Sequence, residues 1–302
     1  MKCLVLVTWA DCENKWRSLQ AIGHEVHIRQ YDMLPSDRHM ELVDEARLLR
    51  PDFIVFIGSV PEFHPGPVLS HDVLRRFRDI APSVHMCNDA ADEPWWKWLQ
   101  LYDRLECFSL QVNIDGAFDT PISTFKNRGL TLLTPVDHRV FRPRAKRPIL
   151  MSLVGGHGHS QRGQIVGELI VRKMLSFFEG PTGRSYKEMA DILCGSKFVF
   201  NHSMTGSAQR HHVKGRVIEA GFAGAALIEY KNSPTASWFN PGFEYFYYED
   251  ANDIAGILAM PDTLVSKVAK NFHNKVIREH HPRVFWDKVL TKAGVIRENI
   301  GV

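Results

Sequence analysis

The feature that most constrains this chain is a repeated alternation of short apolar runs with amphipathic stretches. Cys3–Thr8 is an apolar run, followed by a helical pattern through Trp16, Leu19 and Ile22 and a stop at Gly23. Glu25–Ile28 reads as the next strand, and Ser36 as the N-cap of a helix carrying Met40, Val43, Ala46 and Leu49. Asp52–Gly58 (DFIVFIG) is almost wholly apolar, as a strand buried on both faces must be. Ser83–Asn88, Cys107–Asn113 and Leu130–Leu133 continue the series. Strand–helix alternation of this kind predicts a doubly wound parallel sheet.

The pattern breaks at PVDHRVFRPRAKRP (Pro135–Pro148), with three prolines and a run of basic residues. It resumes with a strand at Ile149–Gly156, helices at Gln161–Lys173 and Ser185–Cys194, and a strand at Lys197–Asn201. A helix near Gly215–Ala223, a strand at Ala225–Tyr230 and further helices complete the chain. The expectation is α/β throughout: two facing Rossmann-like domains, 1–140 and 149–302, joined by a linker at 141–148. The last helix is expected to pack back on the first domain. Such a pair offers a cleft at the carboxyl ends of its strands, where open α/β sheets bind ligands.

Composition removes several other classes. With 302 residues, 44% hydrophobic and 24% charged, the chain is large enough to fold without disulfide or metal. A net charge of +3 does not by itself argue for nucleic acid. The five cysteines form no CxxC pair, which excludes a zinc ribbon or a secreted disulfide framework. No apolar run reaches the ~18 residues a membrane span needs. The opening MKCLVLVTWADCEN has too short an apolar core for a signal peptide, so the expectation is a cytoplasmic protein.

Two constellations carry chemistry. In LVGGHGHSQRG (Leu153–Gly163) a strand ends in paired glycines, Gly155 and Gly156, and runs into a helix with Arg162 at its start. Bare backbone, free helix N–H groups and an arginine attract phosphate, and an ordinary tight turn is the competing reading. In KGRVIEAGFAGAALIEY (Lys214–Tyr230), Lys214 and Arg216 precede Glu219 on a helix stripped of side chain at Gly221, Ala223 and Gly224. Small residues allow close helix packing, while Glu219 offers two acceptor oxygens to a sugar diol and the cations suit a diphosphate. His157, His159, His211 and His212 lack acidic or Cys partners at helical spacing, so no metal site is expected.

In the first domain Asp89 and Asp92 follow a strand, as helix caps or, for Asp89, as a general base toward an acceptor hydroxyl. Asp11 and His64 compete for that role. Trp95, Trp96 and Trp98 are candidates for stacking on a ligand or for core.

The residues from Ser185 to Tyr248 resemble the C-terminal half of GT-B glycosyltransferases, in particular the spore-maturation CgeB-like group. SYKEMADILCGSKFVFNHS, RVIEAGFAG and FNPGFEYFYY are similar to that group's motifs in order. PVDHRVFRP, SLVGG…QRG and HNKVIREHHPRVFWDKVL add matches in the linker, the glycine loop and the closing helix. The resemblance implies a metal-independent hexosyl- or pentosyltransferase with no cofactor, using a nucleoside-diphosphate sugar such as a UDP-sugar as co-substrate. It implies that Glu219 holds the ribose hydroxyls and that Arg162, Lys214 and Arg216 face the diphosphate. Gly155 and Gly156 would admit the loop to it, and Glu229 in the next strand joins the donor-binding set. Retaining members of the wider fold often carry a glutamate eight positions before the one matching Glu219, whereas here that position is His211. The acceptor stays open among small molecule, glycan, protein and DNA; Arg75, Arg76 and Arg78 with Arg142, Arg144, Lys146 and Arg147 are the residues a DNA track would use. A hydroxylated DNA base as acceptor, a nucleotide-sugar epimerase or hydrolase, and a non-catalytic nucleotide-sugar binder are the alternatives.

Overall fold

The computed structural model describes residues 1–8, 13–58, 66–90, 92–116, 122, 125, 129–156, 160–180, 184–202, 204 and 210–297. The chain forms two compact units, Met1–Leu132 with Pro282–Val302, and Leu133–His281.

In the first unit β1 (Lys2–Val7), β2 (Glu25–Gln30), β3 (Phe53–Ile57), β4 (Ser83–Cys87), β5 (Leu110–Asn113) and β6 (Gly129–Thr131) form a parallel sheet in the order β2-β1-β3-β4-β5-β6. Alternate residues of the central strands enter two separate cores, as a period of two requires. Cys3, Val5, Phe53, Val55 and Val84 pack with Phe285 and Trp286 of α10 (Pro282–Lys292). Leu4, Leu6, Ile54 and Phe56 pack with Val43 and Ala46 of α2 (His39–Leu49) and with Leu74 and Phe77 of α3 (His71–Ile80). The Trp286 indole N–H donates to the buried hydroxyl of Ser18 at 2.8 Å, tying α10 to α1 (Glu13–Ala21).

Ser36 is not the N-cap of α2. It opens a single 3-10 turn, and the helix begins at His39. Trp95, Trp96 and Trp98 lie on α4 (Glu93–Arg104); Trp95 is core, and Trp96 and Trp98 are half-buried against it. Trp95 is buried in a cluster with Leu99, Ile122 and Phe125, Trp96 stacks on Phe125 at 5.2 Å, and Trp98 packs on Tyr102 at 5.6 Å.

The second unit repeats the plan. β7 (Ile149–Val154), β8 (Ser176–Phe178), β9 (Ser196–Asn201), β10 (Ala226–Tyr230) and β11 (Phe246–Tyr248) form a parallel sheet in the order β11-β10-β9-β7-β8. One face packs on α6 (Tyr186–Cys194) and α7 (Gly215–Ala223), through Val199 and Leu227 against Leu193, Val217 and Phe222. The other packs on α5 (Ser160–Val171) and α8 (Ala251–Leu258), through Phe198, Phe200 and Ile228 against Val166, Leu169 and Ile254. α9 (Asp262–Glu279) contributes Val265 and Val268 to this core and Phe272 and Val276 to the first. Ser185 and Glu188 form a reciprocal capping box that starts α6 at Tyr186. Among the described residues no helix is long and apolar enough to cross a membrane.

The bare face of α7 meets α9. A Cβ on Gly221 would lie 2.5 Å from Val276 Cγ2 and 3.1 Å from its Cβ. A valine on a helix has essentially one rotamer and cannot turn away. Gly221→Ala is therefore expected to lower stability by roughly 1–3 kcal/mol in urea unfolding, despite alanine's better helix propensity. In a Val276→Ala background the same change should be neutral or stabilising, and equal costs in both backgrounds would rule out the clash.

Candidate functional site

In the second unit the chain leaves β7 for β8 on one side and returns to β9 on the other, so β7 and β9 flank the point where strand order reverses. Ligands of open α/β sheets bind outside the carboxyl ends of such a pair. There the backbone is stripped of side chains. Gly155 has φ +143°, its N–H donates to the Phe178 carbonyl at 3.0 Å, and a Cβ on Gly180 would come within 3.1 Å of the Gly155 Cα.

Two arginines reach this end from the first turns of two helices. Arg162 on α5 is 7% exposed, and its Nη1 donates to the His202 carbonyl at 3.5 Å. Its Nε has no hydrogen-bond partner among the described residues. Arg216 on α7 donates from Nη1 to Asn201 Oδ1 at 2.7 Å and from Nη2 to the Val154 carbonyl. Gly155 makes room for it, since a Cβ there would sit 2.3 Å from Arg216 Nη2. Burial, and next the positive charge of Arg162, push the Arg216 guanidinium down to about 10. Burial also lowers Arg162. Two partly desolvated like charges at one sheet end form a site whose electrostatics favour an anion.

Beside them lies a group that sequence reasoning missed. His202, 4% exposed, follows β9; its ring stacks on Tyr230 at 4.5 Å, and its Nδ1 lies 2.8 Å from the Tyr248 hydroxyl. Burial, with His211 and Arg162 adding to it, holds His202 down at about 4, so the imidazole is neutral at physiological pH. Its Nε2 has no partner among the described residues. His211, in the position where retaining glycosyltransferases of this fold often carry a glutamate, has its ring 5.1 Å from Tyr230 and 5.8 Å from His202. The only signal in the sequence was the polar triplet Asn201–Ser203 directly after an apolar strand.

Lys214 occupies the N-cap position of α7, and Glu219 lies one turn further along the helix than Gly215; both are half-buried. Gly155 and Gly156 thus fall on the loop after β7, Arg162 and Arg216 on the first turns of α5 and α7, Lys214 at the N-cap of α7 and Glu219 in its second turn. Glu229 is placed differently from the other members of that set. It is 0% exposed within β10 and accepts from Asn201 Nδ2 at 2.6 Å, Thr235 Oγ1 at 3.1 Å and the Tyr230 N–H at 3.0 Å. Its oxygens are committed to the protein, and burial pushes its carboxyl up to about 7.

In the first unit Asp89 follows β4 with φ +56°, a left-handed conformation that Asp tolerates better than most residues. Asp115, 3% exposed, follows β5, and its N–H donates to Asn113 Oδ1 at 3.1 Å. Burial and then the carboxylates of Asp115 and Asp89 push the Cys87 thiol well up, with Lys15 opposing them. Asp89, Asp115 and Lys15 therefore surround one strand end, and sequence reasoning found only the first. Asp11, His64, His157 and His159 lie outside the described residues. Among the described residues no group of three or more His, Cys, Asp or Glu is placed to hold a metal.

The basic residues singled out for a DNA track are largely engaged. Arg75 pairs with Asp72, Arg78 with the Glu106 carbonyl and carboxylate, and Arg144 with Asp191. Arg147 donates to the carbonyls of Cys194, Ser196 and Ala223.

Comparison with known proteins adds a family model and a set of folds. A family model described as glycosyl transferase-like matches residues 159–291. No curated protein matches the sequence significantly. HepE from Anabaena, solved in complex with UDP-glucose, superposes with a TM-score of 0.62 at 12% identity, over 98% of this chain and 100% of that one. A glycosyltransferase from Rickettsia africae gives a TM-score of 0.63 at 11% identity, over 99% of each chain. An alpha-glucosyltransferase, in complex with UDP-glucose and DNA containing an abasic site, gives 0.57 at 9% identity, over 96% of this chain and 99% of that one. With two Rossmann-like units on parallel sheets, this chain has the GT-B fold of glycosyltransferases.

Proposed function

We propose that the protein is a glycosyltransferase that uses a nucleoside-diphosphate sugar, with UDP-glucose the first donor to test. The observation that carries this reading is the pair of desolvated arginines, Arg162 and Arg216, at the strand-order reversal between β7 and β9. The match to a glycosyl transferase-like model over residues 159–291 and the UDP-glucose bound by HepE support it. The motifs along Ser185–Tyr248 favour the CgeB-like group within the fold.

In this reading the glycosidic bond to the diphosphate breaks, and the leaving diphosphate gathers negative charge. Arg162, Arg216 and Lys214 offset that charge with groups already fixed before reaction, so little reorganisation is needed. These cations supply the electrostatic role without calling on a metal. Glu219 accepts hydrogen bonds from the ribose hydroxyls and orients the donor. Asp89, at the carboxyl end of the first sheet, takes the proton of the acceptor hydroxyl. The pairing of Arg75, Arg78, Arg144 and Arg147 with protein groups favours an acceptor other than DNA.

A thermal-shift panel of nucleoside diphosphates and their sugars tests the reading. A true ligand at 100 times its Kd should add ~2.7 kcal/mol of stability, and silence across the panel would remove the donor site. UDP-glucose turned over rapidly with no acceptor present would replace the transferase by a hydrolase or epimerase, and binding without transfer to any acceptor would leave a binder.

Two substitutions test the residue roles. Arg162→Ala should weaken UDP by ~1.5–3 kcal/mol while leaving uridine nearly unchanged, because charge-assisted bonds to phosphate are lost. Equal losses for both ligands in calorimetry would take Arg162 away from the phosphate. Glu219→Gln should cost about one to two decades in affinity for UDP-glucose and nothing for its dideoxyribose analogue. A variant that melts lower yet binds both normally would make Glu219 a helix residue only.

A further inference from the structure

Glu229 is a charged side chain with no route to solvent, on a strand interior, beside the site and spent on protein donors. Its strongest contact is Asn201 Nδ2, at 2.6 Å. An asparagine amide has one donor end and one acceptor end. Committing Nδ2 to the carboxylate leaves Oδ1 on the other side, where it accepts from Arg216 Nη1 at 2.7 Å. Arg216 Nη2 then donates to the carbonyl of Val154, and the space over Gly155 admits the guanidinium. One line of contacts therefore runs from β10 through β9 to the first turn of α7 and onto the end of β7.

We propose that Glu229 and Asn201 are positioning residues: the Glu229 carboxylate fixes the Asn201 amide so that its oxygen holds Arg216 at the donor's diphosphate, and Glu229 itself never touches the donor. This rests on the donor reading given above. The mechanism follows from hydrogen-bond polarity. An ionised carboxylate only accepts, so it requires the donor end of the amide. A protonated Glu229 can donate to Oδ1, which lets the amide turn and present Nδ2 to a guanidinium that is also only a donor. Two donors cannot bond, and Arg216 loses one of its two anchors.

The groups around Glu229 determine where this exchange falls. Burial raises its carboxyl to about 7, against the hydrogen bonds from Asn201, Tyr230 and Thr235 and the charge of Arg216 on α7. Tyr245, raised to about 12, and Tyr248 on β11, raised well above its ordinary value, face it as neutral phenols. Arg162 on α5 and Glu219 on α7 act on it indirectly, through Arg216. Protonation thus occurs around neutrality, and donor affinity should fall with it.

The test uses UDP-glucose, whose diphosphate is esterified at both ends and keeps one charge state over pH 6–8.5. Calorimetry on the whole protein should show affinity rising about tenfold across that range, while uridine binding stays level. Glu229→Gln should bind UDP-glucose at every pH about as the unsubstituted protein does at pH 6. Thr235→Val removes one donor to the carboxylate and should move the midpoint of the profile to higher pH. An unchanged profile in both variants overturns the proposal, and if Glu229→Gln does not fold, an unmoved midpoint in Thr235→Val suffices to do so. A ligand-free arm follows the Arg216 guanidinium by 15N NMR. Base-catalysed solvent exchange alone would sharpen the N–H signals toward pH 6, so the readout is the separation of the two 15Nη shifts, which a held guanidinium keeps apart. That separation should be wide at pH 8.5, narrow toward pH 6, and be narrow throughout in Glu229→Gln. If the protein does not bind UDP-glucose at all, the donor reading fails, while the NMR arm still decides whether Glu229 holds Arg216: invariant guanidinium signals overturn that part alone.

Discussion

Arg216 joins three elements by two hydrogen bonds, and a third bond, from Asn201, brings in a fourth. Its guanidinium is held between the Val154 carbonyl at the end of β7 and the Asn201 amide at the end of β9, and Asn201 is held in turn by Glu229 on β10. Burying a guanidinium is costly, and satisfying two of its five N–H donors lowers that cost without neutralising the charge. Arg162, desolvated beside it, adds a second positive charge to the same end of the sheet. The glycines at 155 and 180 follow from this, because side chains there would collide with the guanidinium or with the neighbouring loop.

The rest of the unit serves that geometry. α7 can lie close against α9 because its bare Gly221 face leaves room for Val276 and Phe272. His202, Tyr230 and Tyr248 form an aromatic wall at the ends of β9, β10 and β11, with a neutral imidazole among the rings. A neutral His next to two cations adds a polar group without adding to their repulsion, and it leaves the positive charge to the arginines.

Much of this was legible in the sequence, for physical reasons. β3, buried residue by residue and wholly apolar, announces itself because a strand covered on both faces favours an unbroken apolar run. Ser185 with Glu188 spells its own helix start. β8 and β11 escaped because three-residue edge strands carry too few residues to show a period. Ser36 misled because a 3-10 turn uses the same residue type as a helix cap. Arg162 and Arg216 stood out by their position at helix starts after glycine, but the partners of Arg216 lie 15 and 62 residues away and could not be read from spacing. Glu229 was grouped with the donor-binding residues through the resemblance, and the fold shows its carboxylate accepting from Asn201, Thr235 and the Tyr230 N–H. Lys15 and Asp115 were missed because nothing local marks a lysine or aspartate that tertiary packing will bury.

The proposed nucleoside-diphosphate site lies at the end of the sheet between β7 and β9. A crystal structure of the protein with UDP, at a concentration calorimetry shows to be saturating, tests it most directly. The diphosphate is expected within hydrogen-bonding distance of the Arg162 and Arg216 guanidinium groups, with the ribose hydroxyls on Glu219. UDP bound elsewhere, or seated there with its phosphates turned away from both arginines, would contradict it.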